Sequence, residues 1–401
     1  MGGAAGNALS IARSLGRQGV AVYLLGAPDS PVAFSRYARS VPLPSGVRRQ
    51  EAWTRYLLGP ESDSLRGAVL LACCDDGIEM LIEHRDELAD KFILDISDPA
   101  AQRCLLNKLT TYQQARDVGV PTPLFWSAES DEQVRARKDE YVYPLIVKPL
   151  YSHAFQAVFG AKFFRVTDFR ELWDAYRRAR SQDLDVVLLE EIPGPDDLLC
   201  SYYTYLDENG VPLFDFTKRV IRRFPEGHGV GCYHVTDWNP EVRDLGLRLF
   251  SHVGLLGLGN IEFKRDERDG QLKVIECNAR FTAANLLVVR SGYDLGLFVY
   301  DRLVGDPHPT LKEQPYRLRL HLWYPDKDFR AFLALRRRGK LSFSAWLASL
   351  AHRQVLPYFS WSDPLPSVIA SLHFARRALE LGVRFMGRRA GFDRRGDVGS
   401  P

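Results

Sequence analysis

The sequence predicts an α/β unit followed by a larger α+β domain, with a basic helical extension at the end. Three observations carry this. Residues 1–97 alternate helical and strand-like stretches. Residues 98–310 gather strands into hairpins interrupted by amphipathic helices. Charge then changes: residues 311–401 hold 17 Lys/Arg against 7 Asp/Glu, although the whole chain is only +3.

With 401 residues, the chain is long enough for two or three domains and a large core. Its 46% hydrophobic and 26% charged residues are those of a soluble globular protein. No run reaches the roughly 18 apolar residues of a spanning helix, and no basic region followed by an apolar run marks a leader peptide. Six cysteines (73, 74, 104, 200, 232, 277) lack paired metal spacing and read as buried, reduced thiols of a cytoplasmic enzyme.

The α/β unit opens on MGGAAGNALSIARSLGRQGVAVYLLG, a turn built on Gly2, Gly3 and Gly6, then helix 7–18 and strand 20–25. A phosphate loop of the dinucleotide-binding type follows a strand, and here only Met1 precedes it. The acidic residue that a dehydrogenase places after its second strand is also missing, since Leu24-Leu25-Gly26-Ala27 ends that strand. The expectation is a start placed too late or a rearranged, locally weak sheet. A helix near 48–58, strand 67–74 and a helix opened by Asp75-Asp76-Gly77 complete the unit.

Asp98-Pro99 starts the second domain with a cap and a proline at the first helical position. Val142 to Lys148 reads as an antiparallel strand, and DVVLLEEIPGPDD (185–197) as a strand with a Pro/Gly exit. A hairpin turning at Glu208-Asn209-Gly210 follows, then helix 241–256, a hairpin over 260–280 and helix 285–303.

The chemistry sits in the 260–280 hairpin, NIEFKRDERDGQLKVIECNARF. A three-residue turn at Arg268-Asp269-Gly270 pairs Glu262 directly with Glu276. Period-two alternation then puts Glu276, Asn278 and Arg280 on one face, with Ile261, Phe263, Ile275 and Cys277 on the other. Two facing carboxylates repel, so a cation must offset them. Glu, Glu and Asn supply the oxygen ligands of a Mg2+ ion that completes its shell with water and phosphate, with Mn2+ as a substitute. Arg280 is placed to stabilise charge that develops during transfer. The competing reading is a solvated hairpin face salt-bridged to Lys264 and Lys273.

These motifs, in this order, resemble the ATP-grasp superfamily of carboxylate–amine ligases over roughly residues 1–310. NKLTTYQQARDVGVPTP resembles the opening helix and implies Lys108 as a phosphate contact. YPLIVKP resembles the strand whose lysine, here Lys148, reaches the ATP phosphates. VVLLEEIPGPDD resembles the hinge that reads adenine through backbone groups near Glu190, Glu191 and Ile192, with Asp196 or Asp197 on the ribose. Lys218 falls at a further phosphate contact, and IECNARF resembles the signature with two metal ligands, Glu276 and Asn278, and an arginine. Where many relatives carry a glycine-rich loop, YSHAFQAVFGAK has one glycine. Ser152, His153 or backbone amides would close over the phosphates there, and this loop is similar to that of D-aspartate ligase-type enzymes rather than biotin carboxylase.

The resemblance implies three parts: a Rossmann-like domain over 1–97, an ATP-grasp domain over 98–310 and the basic extension over 311–401. It also implies ATP and Mg2+ as cofactors, and an ADP-forming reaction through an acyl phosphate. The substrates would be a carboxylate and an amine, small or lipid-linked, such as an amino acid or a cell-envelope precursor. The alternative is a non-catalytic ATP-binding sensor or partner subunit. His228 and His234, in a glycine-rich stretch, line a substrate pocket or a surface loop. Asp75 and Asp76 hold an amine or, for Asp76, cap a helix. In the extension, Val368, Leu372, Ala375, Leu379, Val383 and Met386 share one helical face flanked by Arg376, Arg377, Arg384, Arg388 and Arg389. That is a packed appendage or a peripheral contact with the inner membrane face. A homodimer is compatible with these features, and no nucleic-acid motif is present.

Overall fold

A computed structural model describes residues 1–44, 46–305 and 315–376, without the side chains of 152–154 and 157. Among the described residues the strands run, in chain order, β1 (Tyr23–Leu24), β2 (Arg39–Ser40), β3 (Phe125–Ser127), β4 (Leu145–Pro149), β5 (Phe164–Val166), β6 (Val186–Glu190) and β7 (Leu199–Leu206). They continue with β8 (Pro212–Phe224), β9 (Val230–Asp237), β10 (Gly257–Arg265), β11 (Leu272–Asn278), β12 (His321–Trp323) and β13 (Gln354–Val355).

The large sheet has the order β11-β10-β7-β8-β9-β12-β13, the small one β3-β6-β4-β5, and β1 pairs β2 in parallel. β7 lies inside the large sheet and is buried along its whole length. Its alternating side chains serve two cores. Tyr203 and Tyr205 pack with Ile11, Leu15, Leu287 and Phe298. Tyr202 joins Tyr112, Leu249, Phe250 and Ile261. The small sheet rests Leu145, Val147 and Leu188 on Leu172, Ala175 and Tyr176 of helix Phe169–Arg180. That helix is amphipathic and starts with the Asp168 carboxylate accepting from Glu171 N–H at 2.8 Å.

The first unit is thinly paired. Beyond the two residues of β1 and β2, Val69 bridges Ile93 in parallel. Met1 and Gly2 stand between these layers. The Met1 ammonium donates to Leu71 O at 2.7 Å, Cys73 N–H donates to Met1 O at 3.0 Å, and Gly2 N–H donates to Leu25 O at 3.0 Å. Gly3 has φ +84°, and a Cβ there would lie 2.3 Å from Cys73 O. The turn therefore requires glycine for both conformation and space.

Three expectations are corrected. The extension after residue 311 is not helical throughout. β12 adds antiparallel to β9 and β13 parallel to β12, so its first part completes the large sheet. The stretch around Ser152 is a helix, Ser152–Phe159, rather than a loop. Its sequence alternates no turn residues, and Gly160 closes it at φ +64°. The turn of the β10–β11 hairpin is longer than three residues: Asp266 N–H donates to Gln271 O at 2.8 Å, and Gly270 N–H to Asp266 O at 2.8 Å.

Candidate active site

The longer turn shifts the hairpin register by one, and a bulge on β11 restores it. Arg265 pairs Leu272, Lys264 pairs Lys273 and Phe263 pairs Val274, yet Glu262 still faces Glu276. Ile275 is the extra residue, so Val274, not Ile275, packs with Phe263 in the core. The bulge frees the Ile275 carbonyl from the ladder. It accepts from Lys148 Nζ at 3.1 Å and from Tyr112 OH at 2.7 Å. One irregularity thus fixes Glu276 and anchors a lysine from the facing sheet.

The two carboxylates differ electrostatically. Burial works against the Glu276 carboxylate, but Lys148, Lys162, Lys108 and Arg280 overcome it and hold its pKa below the ordinary value. Burial and the charge of Glu276 push Glu262 up, against Lys218 and Lys162. The lysines respond in kind. Burial lowers Lys148 despite Glu276 and Glu262, and lowers Lys218 despite Glu262. Burial and the neighbouring Lys148 bring Lys108 down to about 8. Crowded, desolvated lysines around two carboxylates form a seat for a polyanion.

Lys108 Nζ donates to Leu150 O at 3.3 Å, and Lys218 Nζ to Ser201 Oγ at 3.0 Å. Lys108, Lys148, Lys218, Glu262, Glu276 and Arg280 thus stand around one cleft between the sheets. Asn278 Nδ2 donates to Asn260 Oδ1 at 3.1 Å, and Asn260 Nδ2 to Tyr202 O at 3.1 Å. That chain leaves the Asn278 oxygen as the atom that faces away from Asn260, so Glu262, Glu276 and Asn278 fit a hard divalent cation that shares its shell with phosphate. Among the described residues there is no group of three or more His, Cys, Asp or Glu that could hold a metal ion. Arg280 is nearly buried, and Asp75 Oδ1 accepts from its Nε at 2.5 Å.

The hinge is held from behind. Glu190 accepts from Leu124 N–H at 3.2 Å and pairs with Arg268. Glu191 N–H donates to Pro144 O at 3.0 Å. Pro144 has no N–H to return the bond, so the Glu191 carbonyl lacks its ladder donor. Ile192 O instead accepts from Lys264 Nζ at 2.9 Å. Of the two acids beyond it, Asp196 is committed to Arg223 at 2.5 Å and to Gly227 N–H, whereas Asp197 is exposed. The side chains of Ser152 and His153 lie outside the described residues.

The reading of Lys264 and Lys273 as salt-bridge partners of the glutamate pair is corrected. Lys264 serves the hinge, and Lys273 reaches Asp266 at 2.6 Å. Asp266, fully buried, went unnoticed in the sequence, as did Lys162 and the Ile275 carbonyl. A charged residue before a turn carries no local signal of burial. His234 is a strand residue of β9, buried, and burial takes its pKa down to about 3. Asp76 caps no helix: Cys74 is the N-cap residue of helix Asp75–Glu83, without a side-chain bond.

No family model matches the chain. It is 24% identical over 284 residues to D-aspartate ligase of Enterococcus faecium, covering 67% of each protein. It is 25% identical over 193 residues to a D-alanine–D-alanine ligase of a Marinomonas species, covering 45% of this chain and 57% of that enzyme. In structure it is similar to an L-amino acid ligase from Bacillus licheniformis, with TM-score 0.57, 19% identity, and coverage of 79% of this chain and 76% of that one. It is also similar to the biotin carboxylase domain of Hydrogenobacter thermophilus 2-oxoglutarate carboxylase, with TM-score 0.62, 15% identity, and coverage of 79% and 71%.

Proposed function

We propose that this chain, a member of the ATP-grasp superfamily of carboxylate–amine ligases, joins an amino-acid or peptide-like carboxylate to an amine at the cleft between its two sheets. The ligase activity is ATP-dependent and ADP-forming, and it acts on small-molecule carboxylate and amine substrates. The observation that carries the assignment to this cleft is the bulge that pairs Glu262 with Glu276 while seating Lys148 on Ile275 O.

In this reading Lys108, Lys148 and Lys218 hold the phosphates, and the backbone at Glu191 and Ile192 takes the adenine, with Asp197 rather than Asp196 free for the ribose. Glu262, Glu276 and Asn278 would hold a Mg2+ ion, which would supply charge neutralisation when bound. Phosphoryl transfer depends on positioning and charge more than on covalent help from the protein, which suits a cleft with no serine or cysteine nucleophile in the proposed roles. The Arg280 guanidinium, oriented through Asp75, faces the acyl phosphate and then the oxyanion formed by amine attack. Residues 1–97, 98–310 and 311–401 are the proposed domains.

ADP release measured against a panel of amino acids and carboxylates tests this. Substrate-dependent release with one carboxylate–amine pair is expected. Tight ATP binding with no release for any pair would favour the non-catalytic alternative.

Two finer points belong to the same proposal. Within 365–376, Leu365, Val368 and Leu372 are exposed, with Trp361 beside them 87% exposed, which supports a peripheral contact with anionic lipid. The rest of the predicted stripe, from Leu379 onward, lies outside the described residues. Among the described residues no helix is long and apolar enough to cross a membrane. Flotation with anionic but not neutral vesicles is expected; equal recovery in the soluble fraction rejects it. A homodimer is the proposed assembly, checked by light scattering.

A further inference from the structure

Three arginines that the ligase reading leaves unused meet beside the first unit. Arg17 ends helix Ala5–Arg17, Arg290 stands in the last turn of helix Asn285–Ser291, and Arg353 lies immediately before β13. Helix Asn285–Ser291 packs against both of the other elements, which brings the three together. All three are exposed. Partial burial, then Arg17 and Arg353, pull the Arg290 guanidinium below its ordinary value, and no acid raises it again.

The chain has no Asp or Glu between Asp328 and Asp363. Asp363 is spent on the inner side, where it accepts from Arg13 Nε, Ser35 Oγ and Arg36 N–H. A cation in the last turn of a helix meets free carbonyls, which accounts for Arg17 and Arg290. It does not account for Arg353, which lies outside any helix.

The segment 359–362 runs past Arg17. Ser360 and Ser362 turn their hydroxyls the same way, 3.1 Å apart, and accept from Arg17 Nη2 at 3.2 and 3.5 Å. Trp361, between them, is 87% exposed and touches only the edge of the exposed Phe359, with ring centroids 4.9 Å apart. Leu365, Val368 and Leu372 follow it at steps of four, three and four, all exposed. An indole left outside the core forgoes a large apolar burial. Aromatic and aliphatic side chains beside cations that no acid offsets are the make-up of an interfacial contact.

We infer that Arg17, Arg290 and Arg353, with the Ser362 hydroxyl, form a seat for the phosphate monoester of a lipid headgroup, while the ridge from Trp361 to Leu372 enters the apolar layer. A phosphate monoester carries nearly two charges and three acceptor oxygens, and guanidinium forks take such oxygens in pairs. A diester brings less charge and fewer free oxygens to the same three cations. The seat rests on the peripheral contact proposed above, to which it adds the headgroup chemistry.

The full chain is co-sedimented with phosphatidylcholine vesicles carrying phosphatidic acid, and with vesicles given the same surface charge by phosphatidylserine. Binding about fivefold tighter to phosphatidic acid is expected. The double variant Arg290→Ala, Arg353→Ala is expected to lose that preference while its melting curve and ADP release stay unchanged. Trp361→Ser is expected to weaken binding to both vesicles and keep the ratio. If the double variant does not fold, Arg353→Lys, which keeps the charge and loses the fork, takes its place, and an undiminished preference overturns the seat. Equal binding of the parent chain to the two vesicles overturns the seat and leaves the peripheral contact standing. Binding to neither overturns both. If glycerol 3-phosphate then still raises Tm of the parent but not of the double variant, the arginines take a free phosphate ester and the lipid assignment is overturned.

Discussion

β1 pairs with β2 over two residues, whereas β7 pairs with β10 along all eight of its residues and with β8 along six. The contrast between the first unit and the cleft goes beyond strand length. In the cleft the lysines bond to a second element: Lys148 on β4 meets Ile275 on β11, and Lys218 on β8 meets Ser201 on β7. In the first unit, a buried polar cluster leads out of it. Arg13 Nε donates to Asp363 at 2.9 Å, with both groups buried, and Asp363 also accepts from Ser35 Oγ at 2.8 Å and Arg36 N–H at 3.0 Å. A site that must hold repelling charges is over-determined by register, and a thin sheet is held from outside by a strap near the chain's end.

The largest effect expected is in the cleft. Glu276→Ala is expected to lower substrate-dependent ADP release by roughly 10³-fold or more, with a melting curve close to that of the parent. Near-normal turnover would remove the cleft from the mechanism. Arg280→Lys keeps the charge but loses the planar fork that Asp75 orients, and about a 10²-fold fall in kcat is expected. The strap is tested by Asp363→Ala, which leaves Arg13 buried without its partner. Chemical denaturation is expected to show about 3–5 kcal/mol of lost stability with kcat little changed once folded. An effect below about 1 kcal/mol would mean that the first unit does not depend on the strap.

A pH series sharpens the comparison from the large sheet. His234 stays neutral when folded because burial takes its pKa down to about 3, whereas the unfolded chain protonates it near 6.5. The unfolded state therefore binds the extra proton as pH falls below about 6.5. Stability drops by about 1.4 kcal/mol per pH unit from this group until the folded pKa is approached. His234→Leu should flatten that slope, and an unchanged slope would assign it elsewhere. The smallest effect is expected at the exposed Arg55–Glu51 pair, 2.9 Å apart on a surface helix, where Arg55→Ala should cost about 0.3–0.5 kcal/mol.

Much of the cleft was legible in the sequence because its residues are linked by local arithmetic. Glu262 and Glu276 sit on neighbouring strands of one hairpin, and the pairing survived although the turn is longer, since the bulge at Ile275 compensates. Lys148 could be picked out as a lysine in an apolar strand. Lys264 and Lys162 could not, because their partners come from distant segments. For example, Lys264 serves Ile192 and Gly194, some seventy residues away.

By itself the sequence determined the order of elements, the carboxylate pair and the thinness of the first sheet, because short-range periodicity and turn chemistry decide these. Tertiary structure alone decided which lysines meet the carboxylates, that the chain beyond 311 completes the large sheet, and that Asp363 clasps Arg13. These are contacts between segments far apart in the chain, and they exist only once both sheets have closed around a shared core.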